Sequence, residues 1–477
     1  MFKLKIHTCI SIISACLAMA GCKVPGLVLQ TENKSVPRAY TDNGDTTNAA
    51  AVDWRTFFKD KALVSLIDTA IQNNQELNIT LQEIAIARNE IRLRQGALLP
   101  TVGLRGAMGV EKVGRYTSQG AGDASTEIIP GKEVPEALMD YTVAAYANWE
   151  VDIWKKLRTA KKAAVTRYLS TVEGKNFVLT GLVSEVANSY YELVALDNQL
   201  NIVQQNINLQ KNALSVVKIQ KEASRTTELA VQKFQAEVFK SESLQFDIFQ
   251  QIKETENRIN LLLGRYPKPI IRDTVNFLQM VPTIVSVGIP SQLLGNRPDI
   301  RQAELQLTAA KLDVNVARSE FYPSFSISAA IGFQAFNPSY LVKLPASLLY
   351  ALAGDLAGPL INRNAIKAEF YSANARQVQA MYNYERIILK AYLEVSTQLA
   401  GISNLEKNVG FKIKQVAALT HSIDISNDLF KFARADYLEV LMTQRDALEA
   451  KLELVETKKQ QLNAVVNIYR YLGGGWK

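Results

Sequence analysis

The sequence predicts a mainly helical chain that also supplies strands to a transmembrane β-barrel, written as two copies of a helix-strand-strand-helix-helix unit. Three observations predict it. The pattern of the first half returns in the second. Helical periodicity runs far longer than a globular domain needs. Four segments alternate apolar and polar residues over about the length that crosses a bilayer.

The first residues carry an export signal. Lys3 and Lys5 precede an apolar run from about Thr8 to Met19, the layout of a secretory leader. It closes on "LAMAGCK". Small residues followed by Gly21 and Cys22 resemble a bacterial lipobox, which implies a signal peptide over 1–21 and a lipid on Cys22. Lys23 is not the Asp that the resemblance associates with retention in the inner membrane, so the outer membrane is the expected destination. Of the three cysteines, Cys9 and Cys16 leave with the leader and Cys22 takes the lipid. The mature chain then has no disulfide, although its compartment permits one.

Composition excludes several classes. Removing Lys3 and Lys5 leaves 52 basic against 46 acidic residues, so +8 becomes +6. No basic block interleaved with aromatics occurs, which leaves nucleic-acid binding without support. After the leader there is no run of 18 apolar residues, hence no transmembrane helix.

The duplication orders the elements. With Pro100 set over Pro323, an offset of 223, "NQELNITLQEIAIARNEIRLRQGALLPTVGLRGAMG" lies over "RPDIRQAELQLTAAKLDVNVARSEFYPSFSISAAIG". Farther on the offset is 209, where "SEVANSYYEL" meets "LEVSTQLAGI" and Gly264 meets Gly473. One order of elements with one change of spacing implies quasi-equivalent structure.

Residues 22–60 precede the first repeat, 61–270. In that repeat a helix is expected over Lys61–Leu98, strands near 100–110 and 141–151, and a helical hairpin over 155–263. The stretch "GRYTSQGAGDASTEIIPGKEVPEA" between the strands is expected to be a loop. A linker, 271–296, leads to the second repeat, 297–477, with strands near 324–336 and 346–357 and a hairpin over 365–472. A helix of roughly 68 residues spans roughly 100 Å, and the incoming and returning helices of roughly 37 residues span about 55 Å each. Leu441, Leu448, Val455, Leu462 and Tyr469 recur at sevens, which means coiled-coil-like packing.

The strands decide between a soluble stalk and a pore. Phe325 and Phe333 sit eight residues apart, as do Tyr141 and Trp149. That is about 26 Å of strand and fits two aromatic girdles around a lipid-facing band. Thr142, Asn148, Ser326, Ser328 and Gln334 take the other face. Four strands close no barrel, and open edges are not tolerated in hydrocarbon, so the chain must oligomerise. Two copies give eight strands and a filled interior, whereas three give twelve and leave a conduit.

At this point the chain resembles the outer-membrane factor family, the TolC-type channels, in its lipoprotein branch that serves efflux. The residues carrying this are the lipobox at Cys22, "RPDIRQAELQLTAAKLDVNVARSEFYPSFSISA", "EVANSYYELVALDNQL", "LLLG" and the terminal "DYLEVLMTQRDALEAKLELVETKKQQLNAVVNIYRYLGGGW". The resemblance implies a homotrimer, a twelve-stranded barrel in outer-membrane lipid and a twelve-helix periplasmic α-barrel continuing it. An equatorial belt would use roughly 30–60, 264–296 and the C-terminus. It also implies two partners, a periplasmic adaptor and an inner-membrane pump of the resistance-nodulation-division type.

The hairpin tips lie at "KEASRTTEL" and "KFARADYLEV". Where the family usually has glycine, this chain has Ser224 and Ala433, each followed by an arginine, Arg225 and Arg434, as candidates for adaptor docking. Upstream, His421, Asp424 and Asp428 fall on one helix face at i, i+3 and i+7. Asp424 has the spacing at which related channels carry a luminal aspartate ring, so the three are candidates for the periplasmic gate.

Nothing points to an enzyme. His421 is the one histidine of the mature chain, and there is no cysteine nucleophile, P-loop or Gly-x-Ser-x-Gly. No metal site and no cofactor beyond the lipid are expected. The expected function is the outer-membrane exit duct of a tripartite efflux pump for drugs, metals or other small toxic compounds. A type I protein-secretion channel and a non-pore coiled-coil lipoprotein are the alternatives.

Overall fold

The computed structural model describes residues 24–26, 31–40, 47, 50, 52–272, 277–280, 286–358, 363–432 and 434–476. The elements of the first half are α1 (Trp54–Phe57), α2 (Lys61–Asn73), α3 (Gln75–Gly96), β1 (Thr101–Glu111), α4 (Ser118–Asp123), β2 (Glu127–Ile129), β3 (Lys132–Glu133), β4 (Leu138–Val151), α5 (Lys156–Glu222) and α6 (Glu228–Leu262). Those of the second are α7 (Gln292–Asn296), α8 (Pro298–Ser319), β5 (Ser324–Ala335), β6 (Leu348–Ala357), α9 (Asn364–Lys431) and α10 (Tyr437–Tyr471). The helical hairpins and the four long strands stand within a few residues of their expected bounds.

The chain forms two compact units, and each draws on both repeats. The first takes the described residues of 1–31 with 86–168 and 305–381. Its centre is an antiparallel sheet in the order β1-β4-β5-β6. The loop between β1 and β4 has more structure than its glycines and serines imply. Thr117 caps α4, and Gly131, with φ +75°, turns β2 into β3. Asp152 ends β4 by starting α5: its carboxylate accepts from the backbone N–H groups of Leu157 and Arg158 at 2.9 and 3.0 Å.

The second unit takes 32–85, 169–304 and 382–477. Its main core packs α1 and α2 on α5, α6 and α10, with Trp54, Phe57, Leu63, Ile67, Tyr190, Ile259 and Tyr469 buried together. Phe57 and Tyr469 stack at 4.1 Å. The Tyr469 hydroxyl donates to Val52 O at 2.6 Å, and burial pushes that phenol up to about 12. Of the residues at sevens on α10, Val455, Leu462 and Tyr469 are buried and Leu441 and Leu448 half-buried, each on its expected inner face.

The register proves the repeats equivalent. Thr101 pairs with Asn148 and Val110 with Met139. Under the offsets of 223 and 209 these become Ser324 with Ala357 and Phe333 with Leu348, which are the pairs observed.

One sequence expectation is corrected. Lys61–Leu98 is not one helix but two, broken at Asn74, where ψ is 126°. The incoming helices α3 and α8 are therefore 22 residues each rather than roughly 37. The break is paid for in hydrogen bonds. The Asn74 side chain accepts from Leu77 N at 2.9 Å, opening α3, and donates to Leu262 O at 3.0 Å at the end of α6.

Arg297 holds the equivalent break, between α7 and α8, by stronger means. It donates to Tyr471 O at 3.0 Å, at the end of α10, and forms ion pairs with Asp299 at 2.7 Å and Glu394 at 2.8 Å. Its side chain is 6% exposed. Removing one member of such a buried network strands the others without a partner. Arg297→Leu should therefore lower the unfolding free energy by about 3–5 kcal/mol, read as a drop in the thermal midpoint by circular dichroism; an unchanged midpoint refutes the clamp.

Candidate channel wall and periplasmic tip

Cross-strand pairing shows which residues share a face. Tyr141, Val143, Ala145, Ala147, Trp149 and Val151 of β4 face the same way as Phe325, Ile327, Ala329, Ile331, Phe333 and Ala335 of β5. Val102, Leu104, Gly106 and Met108 join them from β1, and Leu348, Tyr350, Leu352, Gly354 and Leu356 from β6. This face carries no charge. The opposite face carries all of them: Arg105, Glu111, Asp140, Glu150 and Asp355. The apolar face is bare, with Leu104 86%, Leu352 79% and Tyr350 78% exposed. In water such a surface would be costly at about 25 cal/mol per Å²; in hydrocarbon it is the matching solvent.

The candidate girdle residues fall at the ends of that face. Tyr141 and Phe333 lie toward one end, and Trp149 and Phe325 toward the other. The second end holds two aromatics that sequence reasoning missed. Trp154 stacks on Tyr322 with centroids 4.9 Å apart and donates its indole N–H to Pro323 O at 2.7 Å. Trp149 donates likewise to Leu98 O at 3.1 Å. Apolar rings with satisfied N–H groups suit a membrane interface. Trp154 and Tyr322 lie just outside the alternating segments, so alternation could not flag them. Their signal was aromatic residues beside Pro323 and the helix start.

The sheet is open. Each outer edge, on β1 and on β6, presents a row of backbone groups without a strand partner among the described residues. That arrangement is viable in lipid only if further strands pair with both edges.

The tip of the first hairpin is closed by backbone bonds. Arg225 N donates to Gln220 O at 2.8 Å and Ser224 N to Lys221 O at 2.9 Å. This is the Schellman pattern, in which the turning residue takes a left-handed conformation. Ser224 does so, with φ +53°. Gly264 and Gly473 end α6 and α10 by the same pattern, with φ +62° and +90°. Lys221 and Glu228 then pair across the turn at 2.7 Å. In the second hairpin Arg434 N donates to Leu429 O at 2.8 Å, matching Arg225. Ala433 lies outside the described residues. Arg225 and Arg434 are exposed. Both hairpins meet in one apolar cluster, where Phe234 and Val231 pack with Val440, Phe430 and Tyr437.

The three gate candidates, His421, Asp424 and Asp428, are exposed on α9, and Ile423 and Ser426, on the opposite face of that helix, are buried. Asp428 pairs with Lys431 at 3.0 Å. Cys22 lies outside the described residues. Val24, two residues on, packs beside Phe321, Phe370 and Val314, where α8 gives way to β5. Among the described residues no cluster of metal-ligating side chains occurs, and no helix is long and apolar enough to cross a membrane.

Comparison with known proteins agrees with this geometry. The model of the outer membrane efflux protein family matches residues 66–265 and 289–474. Those blocks are themselves related by the offsets of 223 and 209. The cation efflux system protein CusC of Escherichia coli O6:H1 is 27% identical over 470 residues, covering 97% of each chain. The pyoverdine export outer membrane protein OpmQ of Pseudomonas aeruginosa is 26% identical over 475 residues, covering 98% of this chain and 97% of its own. A crystal structure of CusC superposes with a TM-score of 0.82 at 24% identity, over 94% of this chain and 99% of that one.

Two predictions follow from face and turn. A charge at the middle of the apolar face should cost about 2–4 kcal/mol, so Ile331→Lys should abolish heat-modifiable oligomers in SDS gels, while Ser328→Lys on the other face should assemble. Equal behaviour of the two would reverse the face assignment. A left-handed serine costs about 1–2 kcal/mol relative to glycine. Ser224→Gly should therefore slow amide exchange at the hairpin tip by roughly five- to thirtyfold, measured by mass spectrometry; no slowing would show an unstrained turn.

Proposed function

This chain belongs to the outer membrane efflux protein family, and we propose that three copies of it form the exit duct of a tripartite efflux pump. The observation that carries the proposal is the open sheet of four strands, apolar on one face and charged on the other. Three such sheets joined edge to edge make twelve strands, enough for a water-filled bore. The β1 edge of one copy would pair with the β6 edge of the next, leaving no backbone group unpaired in lipid.

In this reading the duct does no chemistry and needs no cofactor. Energy comes from an inner-membrane pump of the resistance-nodulation-division type, reached through a periplasmic adaptor. The tips at Ser224, Arg225, Ala433 and Arg434 would meet the adaptor. The substrates would be small toxic compounds such as drugs or metal ions. The names of the relatives, one a cation exporter and one a pyoverdine exporter, support an efflux role. A lipid on Cys22 would hold the N-terminus at the membrane. The position of Val24, two residues after Cys22 in the chain, beside the helix-to-strand junction supports this.

The test is direct. Purified protein should run as an SDS-resistant trimer that dissociates on heating, and it should give discrete conductance steps in a planar bilayer. Intact-mass measurement should find a diacylglyceryl group on a mature chain that starts at Cys22. Three copies of Asp424 and Asp428 would surround the narrow periplasmic end with carboxylates, which attract cations and repel each other. Asp424→Asn with Asp428→Asn should accordingly change conductance, lower cation selectivity and weaken block by divalent cations; unchanged conductance and block together would remove these residues from the gate.

A further inference from the structure

We infer that Gly103 sets the bore of the barrel by holding the Tyr146 ring flat against the wall. The inference rests on the proposed closed barrel, with the charged face of the sheet inside it. Gly103 and Tyr146 are directly paired on that face. A Cβ atom added at Gly103 would lie 2.6 Å from both Cζ and the hydroxyl oxygen of Tyr146. The ring therefore lies across the strand over the space that only a glycine leaves open. Gly103 is on the outer strand of the sheet of one copy, and an aromatic ring covering a strand glycine shields the backbone there.

The row explains the consequence. Across the sheet, Gly103 pairs with Tyr146, Tyr146 with Ala330, and Ala330 with Ala351. Tyr146 is the one large side chain of this row. The position of its ring therefore decides how far the row projects into the bore. Lying flat, it adds one ring thickness, about 3.5–4 Å of carbon contact distance. Standing away from the wall, it adds its full length. The three nearest atoms all belong to the far end of the Tyr146 side chain, which can swing. A small side chain at Gly103 should thus move the ring and leave the fold intact.

The device belongs to the first repeat alone. The equivalent pair in the second is Ser326 with Asp355, which has a Cβ in place of the glycine and a carboxylate in place of the phenol. A closed trimer then carries three rings at this level, one per copy.

Single-channel recording tests it on the full-length protein in planar bilayers. Wild type should conduct; a trimer that does not would remove the closed-barrel reading and this inference with it. Gly103→Ala should assemble normally and conduct at roughly half the wild-type level. Gly103→Ala combined with Tyr146→Ala should conduct as well as Tyr146→Ala alone, because no ring remains to be displaced. If Gly103→Ala conducts like wild type, or lowers conductance equally with and without the ring, Gly103 does not act through Tyr146, while the barrel stands. If Gly103→Ala prevents trimer formation, the double variant must restore it, and failure to do so overturns the assignment.

Discussion

In hydrocarbon a backbone N–H or C=O without a partner costs several kcal/mol, and no water is present to relieve it. Most of the sheet's features answer to that constraint. It is why strands of bilayer-spanning length are antiparallel and fully laddered from β1 through β6. It is also why two open edges define a requirement for more copies. Side-chain character follows from the same source. Once the ladder is fixed, the pleat sends alternate residues to opposite solvents, so every charge must fall on one parity of each strand. The observed register meets that condition across all four strands.

Much of this was legible in the sequence because both governing periods are short. Period two placed the strands, and the heptads of α10 placed the hairpin core. Duplication added a second, independent signal, since Pro100 over Pro323 aligns strands whose pairings then prove identical. What was not legible depended on contacts far apart in the chain. The break at Asn74 has no proline or glycine to announce it. Its cause is a hydrogen bond to Leu262 O, 188 residues away. Trp154 and Tyr322 matter because 168 residues of chain return to stack them. The ring of Tyr146 over Gly103 needs the register of β1 on β4, which period two cannot supply.

The two repeats also show how one geometry is held by different chemistry. Asn74 and Arg297 occupy equivalent positions, and each donates to the last turn of its own returning helix. The asparagine does so with one neutral hydrogen bond. The arginine, itself buried, adds two partly buried carboxylates. A charged clamp of that kind is rigid when complete and costly when broken. The glycines opposite them explain why both repeats share the close approach. A Cβ at Gly264 would meet Asn73 O at 2.3 Å, and one at Gly473 would meet Asn296 O at 2.5 Å. Left-handed backbone and lack of space coincide at the same residue, so glycine is required twice over.

The hairpin tips obey a different rule. There the left-handed position is held by Ser224, which is exposed and has room for its side chain. Only the conformational demand remains, and serine meets it at some cost. The apolar cluster under the tips is small, while the core at the other end of the same helices gathers more than twenty buried residues. Local stability scales with such packing, so the hairpins should open first at the tips and last at the clamped ends. That ordering would suit the proposed gate. Asp424 and Asp428 stand on the loosely held part of α9, and Glu394, which anchors Arg297, stands on the tightly held part of the same helix. A tip that moves while Glu394 stays fixed can admit solute without loosening the joint on which the rest of the hairpin turns.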